Sequence, residues 1–469
     1  MEAILNELID SYREDIVSMT KELITFPSVF EESENEQEPF GKPINDALLA
    51  VLGLAEEMGF VTRNYDGYVG TVQWGDAGKQ IGILSHIDVV PVGTGWSYPP
   101  FEGTEVDGAL YGRGSVDDKG PLVAALFAMK AVRDSKLPVK NHVRHIIGAD
   151  EESGMRCLQY YLQREEAPWG GFSPDAEFPV IHAEKGILRF DVESEWEVAD
   201  TTDAGIKLIA ITGGSKVNMV PAQAAATLSC SAEDWQLIQE QLKKYSAKDK
   251  LELEYKEEIC TVTATGQSAH SSQPWQGENA INILLNFLGS LPLRSSGAVS
   301  FLHKIRALFA DGYRGEALGI CCEDKLSGIL TLSLGVLRID DKSGSARIEI
   351  RYPIHASREV ILKTLQVACL EQEVTLDVYQ DKAHLYIPVK DPLVQILAGV
   401  YQEVTGRTEK PIAIGGATYC RAIENFAAYG PVFPGQVEMA HQTDEYIMVD
   451  DLILSAKIYA QALYALLNL

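Results

Sequence analysis

The stretch Gln80-Ile81-Gly82-Ile83-Leu84-Ser85-His86-Ile87-Asp88 sets the reading of the whole chain. Its apolar residues run almost consecutively rather than alternating, as in a parallel strand buried on both faces. His86 and Asp88 then stand at the carboxyl end of that strand, where open α/β sheets bind ligands. Around it, strands and helices alternate across 59–152, the pattern of a sheet with helices on its faces. A helix is expected over 122–132, directly after the turn Asp117-Asp118-Lys119-Gly120. A strand is expected over 142–148, delivering Asp150-Glu151-Glu152 at its end.

Metal-ligating side chains recur in these loops. Besides His86 and Asp88 there are Asp117 within Gly112-Arg113-Gly114-Ser115-Val116-Asp117-Asp118-Lys119-Gly120, the pair Glu151-Glu152, and Ser173-Pro174-Asp175-Ala176-Glu177. Imidazole nitrogen and carboxylate oxygen suit zinc, and carboxylates also suit manganese. Glycines flanking Asp117 let backbone come close to it. A lone Asp-Asp or Glu-Glu pair is usually solvated surface. Three such segments after apolar strands, joined by His86, point instead to a metal-dependent enzyme.

Composition narrows the classes. At 469 residues two domains are the default, and 46% apolar with 23% charged residues is globular composition. A net charge of −27 with no basic stripe argues against nucleic acid as a partner. Seven dispersed cysteines (157, 230, 260, 321, 322, 369, 420) form no CxxC pair, which favours a reducing compartment. Cys321-Cys322 reads as an interior strand before a charged turn. The acidic, amphipathic start is unlike a signal peptide, and no apolar stretch approaches the roughly 20 residues that span a bilayer. A cytoplasmic protein without membrane attachment is expected.

Helical spacing predicts one helix over about 2–26 and a second reaching Glu57. After Lys185-Gly186 the chain becomes β-rich, with strands expected at 189–192, 206–211, 224–230, 261–265, 330–337 and 345–351 and helices at 235–245 and 279–291. Helices are again expected at 393–405 and 450–467, and no internal repeat is evident. The expected domains are 1–186 and 384–469 for a catalytic domain in two parts, with 187–383 inserted as an α+β domain.

His86-Ile87-Asp88-Val89-Val90-Pro91, Gly112-Arg113-Gly114 through Lys119-Gly120, and Asp150-Glu151-Glu152 resemble the signatures of the co-catalytic zinc peptidases. That family includes carnosinase, aminoacylase, succinyl-diaminopimelate desuccinylase and carboxypeptidase G. Supporting segments are Pro39-Phe40-Gly41, 172–179 and Gly415-Gly416-Ala417-Thr418-Tyr419, and within the family the chain is most similar to bacterial dipeptidases of the dipeptidase V type. The resemblance covers essentially the whole chain. It implies an α/β fold, a mixed-sheet di-metal peptidase catalytic domain with an inserted α+β lid domain.

It also implies roles. Asp117 would bridge two divalent ions, zinc with manganese as the alternative; His86 and Asp175 would complete one site, Glu152 and His441 the other. Glu151 would be the general base, and Asp88 would orient His86 through its other ring nitrogen. A non-proline cis peptide is implied at Asp117-Asp118. In Gly266-Gln267-Ser268-Ala269-His270-Ser271-Ser272, His270 would stabilise the oxyanion. Asn218, Arg351, Gly415, Gly416 and Arg421 would bind substrate, Arg351 as a fork on its terminal carboxylate. Aspartate at 175 favours peptides with a free amino end, and Glu177 would help define the amino-end environment. The expected enzyme is a monomeric bacterial dipeptidase acting on small unblocked dipeptides. The alternatives are an N-acyl amino acid deacylase and a non-catalytic metal-binding protein of the same fold.

Overall fold

The computed structural model describes residues 2–198 and 205–469. The chain forms two compact units: Met1–Ala183 with Leu385–Ala413 and Ala417–Leu469, and Glu184–His384 with Ile414–Gly416.

The first unit is built on a nine-stranded mixed sheet. Its order is Val61–Tyr65, Val69–Trp74, His142–Gly148, Gln80–His86, Gly170–Ser173, Phe426–Ala428, Ile181–Glu184 and Leu385–Tyr386, with Ile412–Ile414 also pairing to Ile181–Glu184. Gln80–His86 runs parallel to both of its neighbours. Its residues Ile81 to His86 are all buried, which accounts for the continuous apolar run. Gly171 is required by the close approach of this pair, because a Cβ there would collide with the carbonyl of Gly82. The helix Lys119–Asp134 is buried nearly all round and packs on Val449–Leu466.

The N-terminal helix expected over 2–26 is two, Glu2–Ser11 and Arg13–Ile24. The break falls where the Ser11 hydroxyl donates to the Leu8 carbonyl at 2.7 Å, a local bond that competes with continuation of the helical ladder.

The second unit is an eight-stranded antiparallel sheet, in the order Leu251–Lys256, Ile259–Thr265, Gln223–Ser229, Lys207–Gly213, Thr331–Ile339, Ser343–Tyr352, Gly186–Glu195 and Thr375–Lys382. Burial alternates along strands such as Ile259–Thr265, and the apolar side packs on helices Ala280–Leu288 and Gly297–Phe309. One arrangement occurs twice. The hairpin Lys207–Gly213/Gln223–Ser229 is followed by helix Ala232–Lys244 and strand Leu251–Lys256; the hairpin Thr331–Ile339/Ser343–Tyr352 is followed by Arg358–Glu371 and Thr375–Lys382. The two sets meet at the sheet centre, where Lys207–Gly213 pairs with Thr331–Ile339. Cys321-Cys322 does not form the interior strand expected: Cys321 is exposed, Cys322 is half-buried, and the short strand begins only at Glu323.

Candidate metal centre

Strand register brings the metal-ligating loops of the first unit to one edge. His86 lies opposite Gly148, so Asp150-Glu151-Glu152 emerges level with Asp88. Ile83 lies opposite Phe172, so Asp175 emerges level with His86. The remaining two loops are joined by a small sheet, in which Ala109–Tyr111 pairs with Tyr446–Met448. The first of these strands leads directly into the Asp117 loop and the second directly follows His441–Glu445, although the two segments are more than 300 residues apart.

Asp117 stands between the two histidines. Its Oδ1 is 3.0 Å from His86 Nε2, and its Oδ2 is 3.1 Å from His441 Nε2. Asp175 Oδ2 lies 3.6 Å from His86 Nε2, and Glu152 Oε1 lies 3.0 Å from His441 Nε2. Two donor triads therefore share one carboxylate: His86, Asp117, Asp175 and Asp117, Glu152, His441, with the ligand atoms of each within 4.8 Å of one another.

Nitrogen and oxygen donors in this arrangement fit a pair of divalent cations. His86 Nε2 is buried without a well-formed hydrogen bond, while its Nδ1 sits 2.9 Å from the Asp88 main-chain oxygen and donates to it. The ring is thus fixed with Nε2 facing the acids, the nitrogen that a ligating imidazole presents once it has given up its proton. Asp88 acts on His86 mainly through its backbone oxygen, since its carboxylate Oδ1 is 3.5 Å away. That carboxylate instead accepts the N–H groups of Glu151 at 3.1 Å and Glu152 at 3.0 Å, turning both acids toward the centre.

Electrostatics give the same account. Burial lifts Glu151 well above the usual carboxylate range, with Asp175 and Glu152 adding to it. Burial and then Asp117 raise Glu152 to about 7, and the same causes raise Asp175. Asp117 is itself held low, because His441 and His86 close beside its two oxygens outweigh the effect of burial. His441 is raised to about 11 by Asp117 and Glu152. The surrounding acids hold positive charge on these two imidazoles, and a bound cation would supply that positive charge in its place.

The Asp117-Asp118 peptide is cis, as the family resemblance implies. His441 has φ 64°, an uncommon left-handed conformation for a residue with a side chain.

The second unit groups the other expected residues. Met219 pairs with His270, and the Ser271 N–H donates to the Asn218 carbonyl at 3.0 Å. Arg351 donates through Nη1 to the Gly415 carbonyl at 2.6 Å. A Cβ on Gly415 would come within 3.1 Å of Ser272 Cβ, so the backbone at 415 approaches the His270 turn closely. Gly416 is half-buried beside it. Arg421 belongs to the first unit, half-buried on the short helix Tyr419–Ala422.

The model of peptidase family M20/M25/M40 matches residues 82–465. The chain belongs to that family. It is 38% identical over 458 residues to "Putative dipeptidase YtjP" of Bacillus subtilis, covering 97% of each chain. It is 33% identical over 464 residues to a "Putative dipeptidase" of Staphylococcus epidermidis, covering 98% of each. Human carnosine dipeptidase 1 has the same fold at 15% identity, with a TM-score of 0.61 over 100% of this chain and 99% of that one. The di-peptidase Dug1p of Saccharomyces cerevisiae also shares it at 14% identity, with a TM-score of 0.58 over 99% and 98%. As a member of M20/M25/M40 the chain is a peptidase-family hydrolase with an α/β fold.

The sequence alone does not single out one buried acid that borders this candidate centre. Glu445 is fully buried, and its Oε1 accepts the N–H groups of Gly114 and Val116 at 3.0 Å and of Asp117 at 3.2 Å. Its Oε2 pairs with the buried Arg113 at 2.5 Å. Burial, with Asp117 adding, raises this carboxyl to about 7. Glu445 thus holds the Asp117 loop against the segment that carries His441. Its sequence context, in a polar run before Tyr446-Ile447-Met448, resembles any surface acid that precedes a strand.

Proposed function

We propose that the protein is a metal-dependent dipeptidase that hydrolyses unblocked dipeptides. The observation that carries this reading is Asp117, with one carboxylate oxygen directed at each of two histidines and the half-buried Glu151 beside them. The proposed ligands are His86, Asp117 and Asp175 for one ion and Asp117, Glu152 and His441 for the other, with zinc the better match to the imidazoles and manganese the alternative. When bound, the ions lower the pKa of water and polarise the scissile carbonyl.

The chain's own groups perform the proton transfers. Glu151, raised well above the usual carboxylate range by burial, takes a proton from the attacking water and passes it to the leaving amine. Asp88 holds Glu151 in place through its backbone N–H. His270 donates to the oxyanion that forms on the carbonyl. Its Nδ1 accepts the Ser272 N–H at 3.3 Å and lies 2.6 Å from the Ser272 hydroxyl, so the neutral ring carries its proton on Nε2. Partial desolvation, then Arg351, lowers the His270 pKa and favours that neutral form. Arg351, with the backbone of Gly415 and Gly416, binds the substrate's terminal carboxylate, Arg421 is a further candidate for it, and Asn218 contacts the substrate.

The test is release of free amino acids from an alanyl dipeptide, its N-acetyl form and a tripeptide, with added zinc or manganese and after chelation. Chelator-sensitive cleavage of the dipeptide supports the reading. Preference for the acetylated form moves it to the deacylase, and no metal-dependent cleavage leaves a binding protein. No helix among the described residues is long and apolar enough to cross a membrane. All seven cysteines are free, which supports a reducing bacterial cytoplasm. A monomer is the proposed state, checked by light scattering.

A further inference from the structure

The His270 turn and the Arg351 strand of the second unit are joined by one buried carboxylate. Glu349 is 1% exposed, and its Oε1 accepts Nε–H of Arg351 at 2.7 Å while its Oε2 accepts Nε–H of Arg189 at 2.6 Å. The hydroxyl of Ser271, itself 1% exposed, also donates to Oε1.

The sheet explains why these groups meet. Glu349 and Arg351 are two apart on one strand and so share a face, and Arg189 lies directly opposite Glu349 in the neighbouring strand. From this one carboxylate, bonds reach the strand of Arg189, the strand of Arg351 and the turn of His270. Through Ser271 N–H and Arg351 Nη1 they continue to the carbonyls of Asn218 and Gly415. Every second-unit residue expected to touch substrate is thus linked to Glu349 by at most two hydrogen bonds or lies next to one that is. Hydrogen bonds between ionised groups in a buried setting are short and directional, and this set fixes relative position rather than merely adding stability.

We propose that Glu349 and Ser271 are positioning residues that set the separation between His270 and Arg351, and through it the peptide length the enzyme accepts. The proposal rests on the dipeptidase reading. A group held at the wrong distance from its partner penalises the substrate that must touch both, and penalises less one that already fails to do so.

Ser271→Ala unlinks the turn while leaving all three charges in place. Glu349→Gln keeps the shape but leaves Arg189 and Arg351 without their counter-charge. Steady-state kinetics on an alanyl dipeptide and tripeptide, with bound metal and melting temperature measured on each variant, test the idea. For Ser271→Ala we expect KM for the dipeptide to rise about tenfold, the scale of one lost bond to a charged acceptor. The dipeptide-over-tripeptide ratio of kcat/KM should fall by a similar factor with metal content unchanged. Glu349→Gln should shift both further in the same direction. A general loss of folding would lower both substrates together and leave their ratio where it was. Folded, metal-replete Ser271→Ala with KM and ratio within twofold of the wild type overturns the proposal, even if Glu349→Gln fails to fold. Failure of the wild type to cleave the dipeptide is a different result, which removes the dipeptidase reading itself.

Discussion

The polar clusters around Asp117 and around Glu349 treat charge in opposite ways. Around Asp117 the first unit gathers Glu151, Glu152 and Asp175 against only two imidazoles, and burial and mutual repulsion raise three of the four acids. Around Glu349 the second unit places two guanidiniums and a hydroxyl on a single acid, which is held below the usual carboxylate range despite burial, chiefly by Arg351 and Arg189. The first cluster calls for cations from outside. The second supplies its own and can serve as a rigid frame. The difference teaches where chemistry and where positioning reside: a site left uncompensated is poised to bind, and a site compensated internally is poised to hold its shape.

The comparison can be broken most severely at Glu151. Glu151→Ala should lower kcat by about 10²–10⁴ while bound metal, measured by elemental analysis, stays at the wild-type level. Near-normal turnover would take Glu151 out of the mechanism. Next, Glu445→Gln should weaken metal binding by about 10–100-fold in chelator competition on the metal-free protein, because it loosens the loop that presents Asp117. An unchanged affinity would reduce Glu445 to a structural residue.

A third test separates the clusters by pH. Glu152, raised to about 7 when folded against 4.5 for the ordinary side chain, contributes stability that is complete below 4.5 and lost as pH rises through 7. His441, raised from 6.5 to about 11, loses its contribution in the same direction, beginning above 6.5. The metal-free protein should therefore melt at progressively lower temperature from pH 5 to 8. Added zinc should flatten that slope, and a slope that zinc leaves untouched would place the titrating groups elsewhere. The smallest effect is expected far from both clusters. Arg13→Ala removes an exposed 2.6 Å pair with Asp450 and should shift the melting temperature by less than about 2 °C, with activity unchanged.

Much of the first unit was legible in the chain. The unbroken apolar run at 81–84 marks a strand buried on both faces, and the apolar-rich stretches of the helices at 119–134 and 449–466 are too long for a strand. Helices Arg156–Leu162, Gly297–Phe309 and Arg358–Glu371 escaped that reading. The last buries only Ile361, Leu365 and Cys369 and leaves Val360 and Leu370 in solvent, so its apolar residues do not line one face. The family resemblance assigned Asp88 to His86, but its carboxylate takes the N–H groups of Glu151 and Glu152 once the strands align.

By itself, then, the sequence determined which side chains end the central strands and that they are of metal-ligating type, because local periodicity and loop chemistry are written in neighbouring residues. Only the tertiary structure decided that Asp117 directs one oxygen to each histidine, that Glu445 braces its loop, that Glu349 joins Arg351 to the His270 turn, and that one hairpin–helix–strand arrangement occurs twice. A buried carboxylate and a solvated one look alike in sequence. What separates them is the set of donors that folding brings to each: for Glu445 the N–H of Asp117, 328 residues away along the chain, and for Glu349 the hydroxyl of Ser271, 78 residues away.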